Sequence, residues 1–116
     1  MKPETSNVIN ALLSDNTVAG IIGSNIFCDQ PPSEAAFPCV TYQESITPVL
    51  RTDNASALMQ NRFVMECWQR ESAWEMAAAI TTVMESLGYM QRYANSAGMT
   101  GAVHQVSMEF VILREG

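Results

Sequence analysis

The hydrophobic pattern of the chain changes period near residue 71, and this change restricts the fold more than any other feature of the sequence. Residues 72–87 have one apolar stripe at helical spacing, formed by Ala73, Met76, Ala77, Ile80, Val83, Met84 and Leu87. Residues 62–70 before it and 103–113 after it are apolar at alternate positions, as in strands. A helix between two strands in 116 residues indicates a single domain, residues 1–116, in which helices pack on a sheet.

The three predicted helices differ in the strength of their signals. Around residues 72–87, Ser72 and Glu75 have the spacing of a capping box, and Gly88 follows at the position of a C-terminal cap. A first helix is predicted over residues 3–14, where an apolar face repeats at helical spacing. A short second turn over residues 17–22 is predicted with Thr17 as its N-cap.

The remaining strands are shorter or less regular. They are predicted over residues 25–29, 38–46 and 89–93. In the 62–70 strand, Val64 and Trp68 have the opposite parity to the apolar residues at 63, 65 and 67, so both faces are expected to be covered, one by a helix and one by a partner chain. The predicted fold is α+β, a mostly antiparallel β-sheet with two main helices packed on one face.

Residues 48–61 have no sustained period, although they separate two clear strands. We predict a long loop there, and connections of this length are usually functional or disordered. Leu50, Leu58 and Met59 are unusual in a solvated loop. Two interpretations remain open, a flexible hairpin tip and a loop that becomes ordered when a neighbouring subunit covers it.

Composition excludes several classes of function. Charged residues make up 16% of the chain, below the typical value of about 25%, and the net charge is −6. The chain is too apolar for wholesale disorder and too acidic to bind nucleic acid through general electrostatics. No apolar run approaches the length of a membrane span, and no signal-peptide pattern is present, so a soluble cytoplasmic domain is expected.

The residues that carry chemistry are few. The chain has three cysteines and one histidine, His104, with no metal-binding spacing and no phosphate-binding or hydrolase motif. We therefore predict no catalytic residue, no metal site and no cofactor. A small enzyme that uses the thiol of Cys39 or Cys67 is the alternative left open, although free cysteines in strands usually serve as small apolar residues.

Two segments resemble a known family. Residues 36–42, Ala-Phe-Pro-Cys-Val-Thr-Tyr, resemble the FP-x-V-x-Y stretch of phage tail completion proteins. Residues 62–68, Arg-Phe-Val-Met-Glu-Cys-Trp, resemble the second main strand of that family, and the capped helix and the closing strand follow in the family's order. The whole chain is similar to the tail terminator and tail-to-head joining proteins of long-tailed bacteriophages, including the lambda-type terminators.

The resemblance implies a structural virion protein and no enzyme. Such proteins form a ring, usually a hexamer, that caps the tail tube and offers a surface to the head. The implied partners are other copies of the chain, the tail tube protein and a head completion or connector protein. DNA passes through the ring without specific binding, and no membrane is involved. The protein is expected in the host cytoplasm during assembly and afterwards in the virion tail. Another head–tail connector or assembly module is the alternative.

A ring subunit hides part of its surface against neighbours, and we interpret the low charge of the chain in that way. The candidate interface with another subunit or partner lies in the predicted loop and on the second face of the 62–70 strand. Its candidate residues are Leu50, Arg51, Asp53, Leu58, Met59, Val64 and Trp68. The negative net charge is expected to keep DNA from adhering to the channel wall.

Overall fold

Five strands form one sheet, and three helices pack on one of its faces. The computed structural model describes residues 3–33, 37–52, 55–100 and 103–115. Its elements are, in chain order, helices α1 (Thr5–Ser14) and α2 (Asn16–Ile22), strands β1 (Ile26–Cys28), β2 (Cys39–Thr52) and β3 (Ala55–Gln69), helix α3 (Trp74–Ser86), and strands β4 (Met90–Thr100) and β5 (Val103–Glu115). The predicted α+β class with a mostly antiparallel sheet is confirmed.

The sheet has the strand order β1-β2-β3-β5-β4, and only the β1–β2 pair is parallel. Residues directly opposite each other in a ladder project to the same face. Phe63 of the central strand β3 therefore shares a face with Glu44 of β2 and Phe110 of β5. The odd-numbered residues of β3 from 63 to 67 join buried residues of all three helices in one core.

The apolar stripe of α3 is buried as predicted, but the helix begins differently. Met76, Ile80 and Met84 are fully buried. The capping-box prediction is wrong, because buried Ala73 occupies the N-cap position and makes no side-chain cap. Ser72 then lies one residue too early, and its hydroxyl accepts only a long bond of 3.5 Å from the Trp74 N–H.

Helix α2 is longer than the predicted turn, and Thr17 is not its N-cap. Asp15 caps it instead, because its Oδ1 accepts bonds from the N–H groups of Thr17 and Val18, both at 3.0 Å. Gly23 follows the helix with a φ of 60°, as expected for a terminating glycine. None of the helices in the described part of the chain has the length and apolarity that crossing a bilayer requires.

The largest difference from the sequence-based prediction concerns residues 48–52 and 55–61, which belong to two paired antiparallel strands and not to an irregular loop. Strand β2 continues to Thr52, and β3 begins at Ala55. The register shifts between Pro48 and Leu50 and again between Leu50 and Thr52. A bulge inserts one residue and interrupts the two-residue alternation, so the sequence shows no period there although the ladder continues.

The same effect conceals most of β4. The strand predicted over residues 89–93 is too short, because β4 runs from Met90 to Thr100. The register of β4 against β5 shifts between Gln91 and Tyr93 and between Ser96 and Gly98. The strand predicted over 103–113 is confirmed and extends two residues further, to Glu115.

Candidate subunit interface

One face of the sheet lies opposite the helices, and we call it the open face. Arg62, Val64 and Glu66 of β3 project to it, since they alternate with the core residues of the same strand. In the described part of the chain, no helix packs on this face. Arg62 forms an ion pair with Glu109 there. Val64 is half-buried and lies between Gln43 and Glu109 in the ladder.

Trp68 projects to the same open face but is held by its own subunit. Its indole N–H donates to the Thr41 hydroxyl at 3.0 Å. The Phe37 ring stacks on it with 6.1 Å between centroids and planes only 4° apart. The sequence placed Val64 and Trp68 on one face correctly, but the structure leaves Val64 as the more available of the two.

The far ends of β2 and β3 form a second candidate surface. We call residues 47–52 and 55–60 the arm, because no described side chain among them belongs to the core. The protein measures 53 Å along its longest axis and only 27 and 22 Å along the others. A strand of 15 residues, such as β3, spans about 50 Å by itself. Of β5, the last three described residues pair with the arm, with Leu113 opposite Gln60, Arg114 opposite Met59 and Glu115 opposite Leu58.

The structure places most of the predicted loop residues on the arm but divides them between two faces. Leu50 lies opposite Leu58 in the β2–β3 ladder, and Arg51 follows it in β2. Leu58 and Met59 are both half-buried. As neighbours in a continuous strand they project to opposite faces, Leu58 to the open face and Met59 to the helix face. Asp53 lies outside the described residues.

Three exposed apolar residues near these surfaces were not among the sequence candidates. Val49 is 48% exposed, Met90 63% and Leu113 54%. The alternation of β5 contained a signal for one of them. Its open-face positions are polar at 105, 107 and 109 but become apolar at Val111 and Leu113, which indicates a surface that avoids water. Val49 was concealed by the bulge in β2.

A cluster of polar groups joins the root of the arm to the helices. The Glu44 carboxylate accepts bonds from the backbone N–H of Glu4 at 2.7 Å, from the Thr5 hydroxyl, and from the Asn61 amide at 2.6 Å. The Tyr89 hydroxyl donates to the side-chain Oδ1 of Asn61 at 3.4 Å. Both the oxygen and the NH₂ group of the fully buried Asn61 amide therefore have hydrogen-bond partners. The Glu44 carboxylate, which lies on β2, therefore accepts hydrogen bonds from the start of α1.

The protonation states in this cluster favour the observed bonds. Burial alone would raise the pKa of Glu44, but the bonds donated by Glu4, Thr5 and Asn61 outweigh it, and the pKa is lowered. Burial, together with the nearby charge of Glu4, raises the pKa of Tyr89 to about 12, so its hydroxyl keeps the proton that it donates. The cluster is charged on Glu44 and neutral on Tyr89 at pH 7.

The Glu44→Gln variant is expected to unfold at a lower urea concentration, because a neutral amide accepts these bonds less well than a carboxylate. The free energy of unfolding should fall by about 1–2 kcal/mol at pH 7, a modest loss because the site is partly open to solvent. Because the folded pKa of Glu44 lies below its ordinary value of 4.5, its contribution is complete above that pH and is lost as the pH falls through the folded pKa. The difference between wild type and variant should therefore shrink on acidification. The matched variant Glu85→Gln, at an exposed residue of α3, should show neither effect. A pH-independent difference for Glu44→Gln would contradict this account.

The two thiols named as candidate nucleophiles are placed where they react poorly. Cys39 and Cys67 are fully buried, and burial raises the pKa of Cys39 to about 11 and that of Cys67 to about 12. A nucleophilic thiol needs a lowered pKa and access to solvent. The two residues also project to opposite faces of the sheet, since Cys39 lies opposite Trp68 and Cys67 opposite Val40. Cys28 is exposed.

Comparison with known proteins identifies a family and a structural relative. A family model described as "Tail completion protein gp17" matches residues 6–109. A chain in a solved structure titled "Virion of native gene transfer agent (GTA) particle" has a TM-score of 0.72, with 94% of this chain and 92% of that chain covered. The two are 18% identical in sequence, so the likeness shows a shared fold. No curated protein sequence matches the chain.

Proposed function

The chain belongs to the tail completion protein gp17 family, and from this membership we propose that it forms a ring on the end of a tail tube. The ring would end polymerisation of the tube and provide the surface that joins the head. The observation that carries the proposal is the family match over residues 6–109, which includes the strands that form the open face. The resemblance found in residues 36–42 and 62–68 is confirmed at the level of the family.

Membership also decides between classes of function. The family consists of structural phage tail proteins, so the chain is a structural component of a phage-like virion and not an enzyme. The alternative of a thiol-dependent enzyme is therefore wrong, in agreement with the buried, weakly acidic thiols. The second candidate function is that of another assembly module in the head–tail connector region. Binding to isolated tail tubes would favour the first candidate, and binding to capsid portals would favour the second.

A ring of identical subunits requires two different patches on each subunit that fit each other. Head-to-tail contacts of this kind close when the rotation between neighbours closes. The arm and the open face around Val64 are two surfaces that no helix of the described residues covers. We propose a hexamer whose contacts include Leu50, Arg51, Asp53, Leu58, Met59 and Val64, with Trp68 at the end of the open face.

Partners and location follow from this proposal. The tail tube protein would bind one side of the ring and a head completion protein the other, with DNA passing through the opening. The net charge of −6 would disfavour adhesion of DNA to the channel wall. Assembly would take place in the host cytoplasm, and the finished ring would remain in the virion tail.

The Val64→Lys variant tests the open face. A lysine there lies close to the carboxylates of Glu66 and Glu109 in its own subunit, so the fold should be kept. A charge and a longer side chain at a subunit contact should reduce ring formation at least about tenfold, because covering the ammonium group with a neighbour removes its hydration and the added length prevents close packing. Native mass measurement and electron microscopy of tubes mixed with the protein would report this.

The matched control is Asn10→Lys, which adds the same charge on the exposed side of α1. It should form rings as the wild type does. Rings that persist in Val64→Lys would remove the open face from the interface. A wild-type protein that forms a strict dimer at high concentration, and no annular particles on tail tubes, would contradict the proposed function itself.

A further inference from the structure

We propose that neighbouring subunits of the ring join edge to edge, with β2 of one copy adding to β4 of the next so that their sheets become continuous. This inference rests on the proposed ring and adds a main-chain contact between sheet edges to the side-chain contacts of the arm and the open face. It commits to a second copy of the chain as the occupant of both edges. The main-chain groups of the two edge strands would supply the bonds, as in other cases of strand addition.

The first edge is the outer side of β2 beyond the end of β1. Strand β1 has three residues and pairs only as far as Tyr42, whose carbonyl accepts the Asp29 N–H at 3.0 Å. No strand of the described residues lies beside β2 after that point. The edge therefore offers main-chain groups between Tyr42 and Pro48.

The hydrogen bonds on the β1 side of β2 show which main-chain N–H and C=O groups of β2 point away from β3. The Val40 N–H donates to Asn25, and the Tyr42 carbonyl accepts from Asp29, both on the β1 side. Alternate residues of a strand direct their N–H and C=O to the same side. Glu44 and Ile46 therefore direct theirs to the open edge, because the register stays regular through Pro48.

The composition of this segment suits a paired edge better than an exposed one. Exposed edge strands are commonly protected by charged side chains, proline or bulges. Residues 45–47, Ser-Ile-Thr, contain no charge, no proline and no register shift, whereas Pro48 and the shift after it end the unprotected stretch. Ser45 and Thr47 are exposed on the open face, and Ile46 is half-buried on the helix face.

The second edge is β4, at the opposite end of the strand order. The same alternation can be carried from β2 through β3 and β5 to β4 by the residue pairs of the three ladders. It shows that the N–H and C=O of Ala94 point away from β5, toward the open edge. Beside it lies a groove of about 300 Å³ between α3 and β4, lined by Trp74, Ala77, Ala78, Thr81, Ala94 and Met108. Trp74 is 47% exposed at its rim. A strand added here with Ile46 opposite Ala94 would place the Ile46 side chain at this groove.

The directions of the strands allow a closed ring. Three antiparallel steps, β2–β3, β3–β5 and β5–β4, make β2 and β4 run in opposite directions in one subunit. Rotation about an axis along the strands preserves these directions, so β2 of one copy would meet β4 of the next as an antiparallel pair. Two different edges give a head-to-tail contact, which can close, whereas pairing of β2 with β2 would stop at a dimer.

Disulfide trapping tests the pairing directly. If Ile46 lies opposite Ala94, then Ser45 lies opposite Asn95, and both side chains are exposed on the open face. The protein would carry Ser45→Cys, Asn95→Cys and Cys28→Ser, the last because Cys28 is the exposed native thiol. Oxidation of assembled rings should give a ladder of covalent oligomers on a non-reducing gel. Mixing the two single variants should give covalent dimers at most.

The outcomes separate this inference from the proposed function. A covalent dimer from Ser45→Cys alone would show β2 against β2 and overturn it. Rings seen by microscopy that give no cross-link, either with this pair or with Thr47→Cys and Asn95→Cys, would also overturn it while leaving the ring proposal intact. Absence of rings on tail tubes would instead contradict the proposed function.

A pair of proline variants gives a second measurement. Ile46→Pro removes an outward N–H, so the urea midpoint of the monomer should change little, while ring association falls by roughly tenfold or more. Thr47→Pro removes an N–H directed at β3, so it should lower the urea midpoint clearly. Unchanged ring association in a folded Ile46→Pro protein would contradict the edge contact.

Discussion

The double variant Leu58→Ala, Met59→Ala is expected to fold and to form no rings. Both side chains lie on the arm, outside the core, and both are half-buried, so their loss should lower the free energy of unfolding by only about 1–2 kcal/mol. The apolar surface that the arm offers to a neighbour would be removed at the same time. Interface residues in well-packed contacts often contribute 2 kcal/mol or more each, so ring association should fall at least about 100-fold. Native mass measurement and electron microscopy would show monomers.

The two single variants sharpen this prediction, because Leu58 and Met59 project to opposite faces of the sheet. If only Leu58→Ala prevents assembly, the neighbour lies on the open face; if only Met59→Ala does so, it lies on the helix side. The control Leu13→Ala changes a leucine of α1 that is 39% exposed and remote from the arm, and rings should form normally. Undiminished ring formation by the double variant would show that the arm is not part of the interface.

Phe63→Ala is expected to have the largest effect on stability, a loss of about 3–5 kcal/mol in the free energy of unfolding. Phe63 is fully buried at the centre of the sheet and meets the Tyr89 ring edge-on, with 5.6 Å between centroids and an angle of 77°. Removing it leaves a cavity and releases Tyr89, which bonds Asn61 in the polar cluster. Small domains have about 5–15 kcal/mol in total, so the variant should be close to unfolding at 37 °C.

A matched phenylalanine makes the measurement specific. Phe27 of β1 is half-buried on the short edge strand, and Phe27→Ala should cost about 1–2 kcal/mol. Urea unfolding followed by circular dichroism would give both values. Equal losses in the two variants would mean that the centre of the sheet does not contribute to stability as the burial of Phe63 indicates.

The elements predicted well from the sequence are those that bury a single face, because the hydrophobic pattern then follows directly from the geometry of the element. The stripe of α3 and the alternation of β5 each record a single buried face, so Ile80 and Phe110 were placed correctly. The N-termini of the helices were predicted less well. In α2, Asp15 and not Thr17 accepts the first N–H bonds, and in α3 the buried Ala73 takes the N-cap position in place of Ser72. A local motif does not report such shifts of one or two residues.

The candidate interface shows the same division. The sequence indicated that Leu58, Met59 and Val64 need cover, because they are apolar at positions where a solvated segment would be polar. It did not show that Leu58 and Met59 face opposite ways, since two register shifts in the β2–β3 ladder removed the period by which a strand is recognised. It also did not show that Phe37, 31 positions from Trp68 in the chain, already covers that ring.

The change of hydrophobic period by itself determined the class of this protein, a helix-covered, mostly antiparallel sheet, because periodicity follows from the geometry of each element alone. The segments at residues 36–42 and 62–68 likewise pointed to the family. Only the tertiary structure decided that residues 47–52 and 55–60 pair to form the arm, and that the sheet ends in β4 on one side and, beyond the short β1, in β2 on the other. Strand pairing joins residues far apart in the chain, and the hydrogen bonds that define it are made by the main chain, which is the same for nearly every residue type.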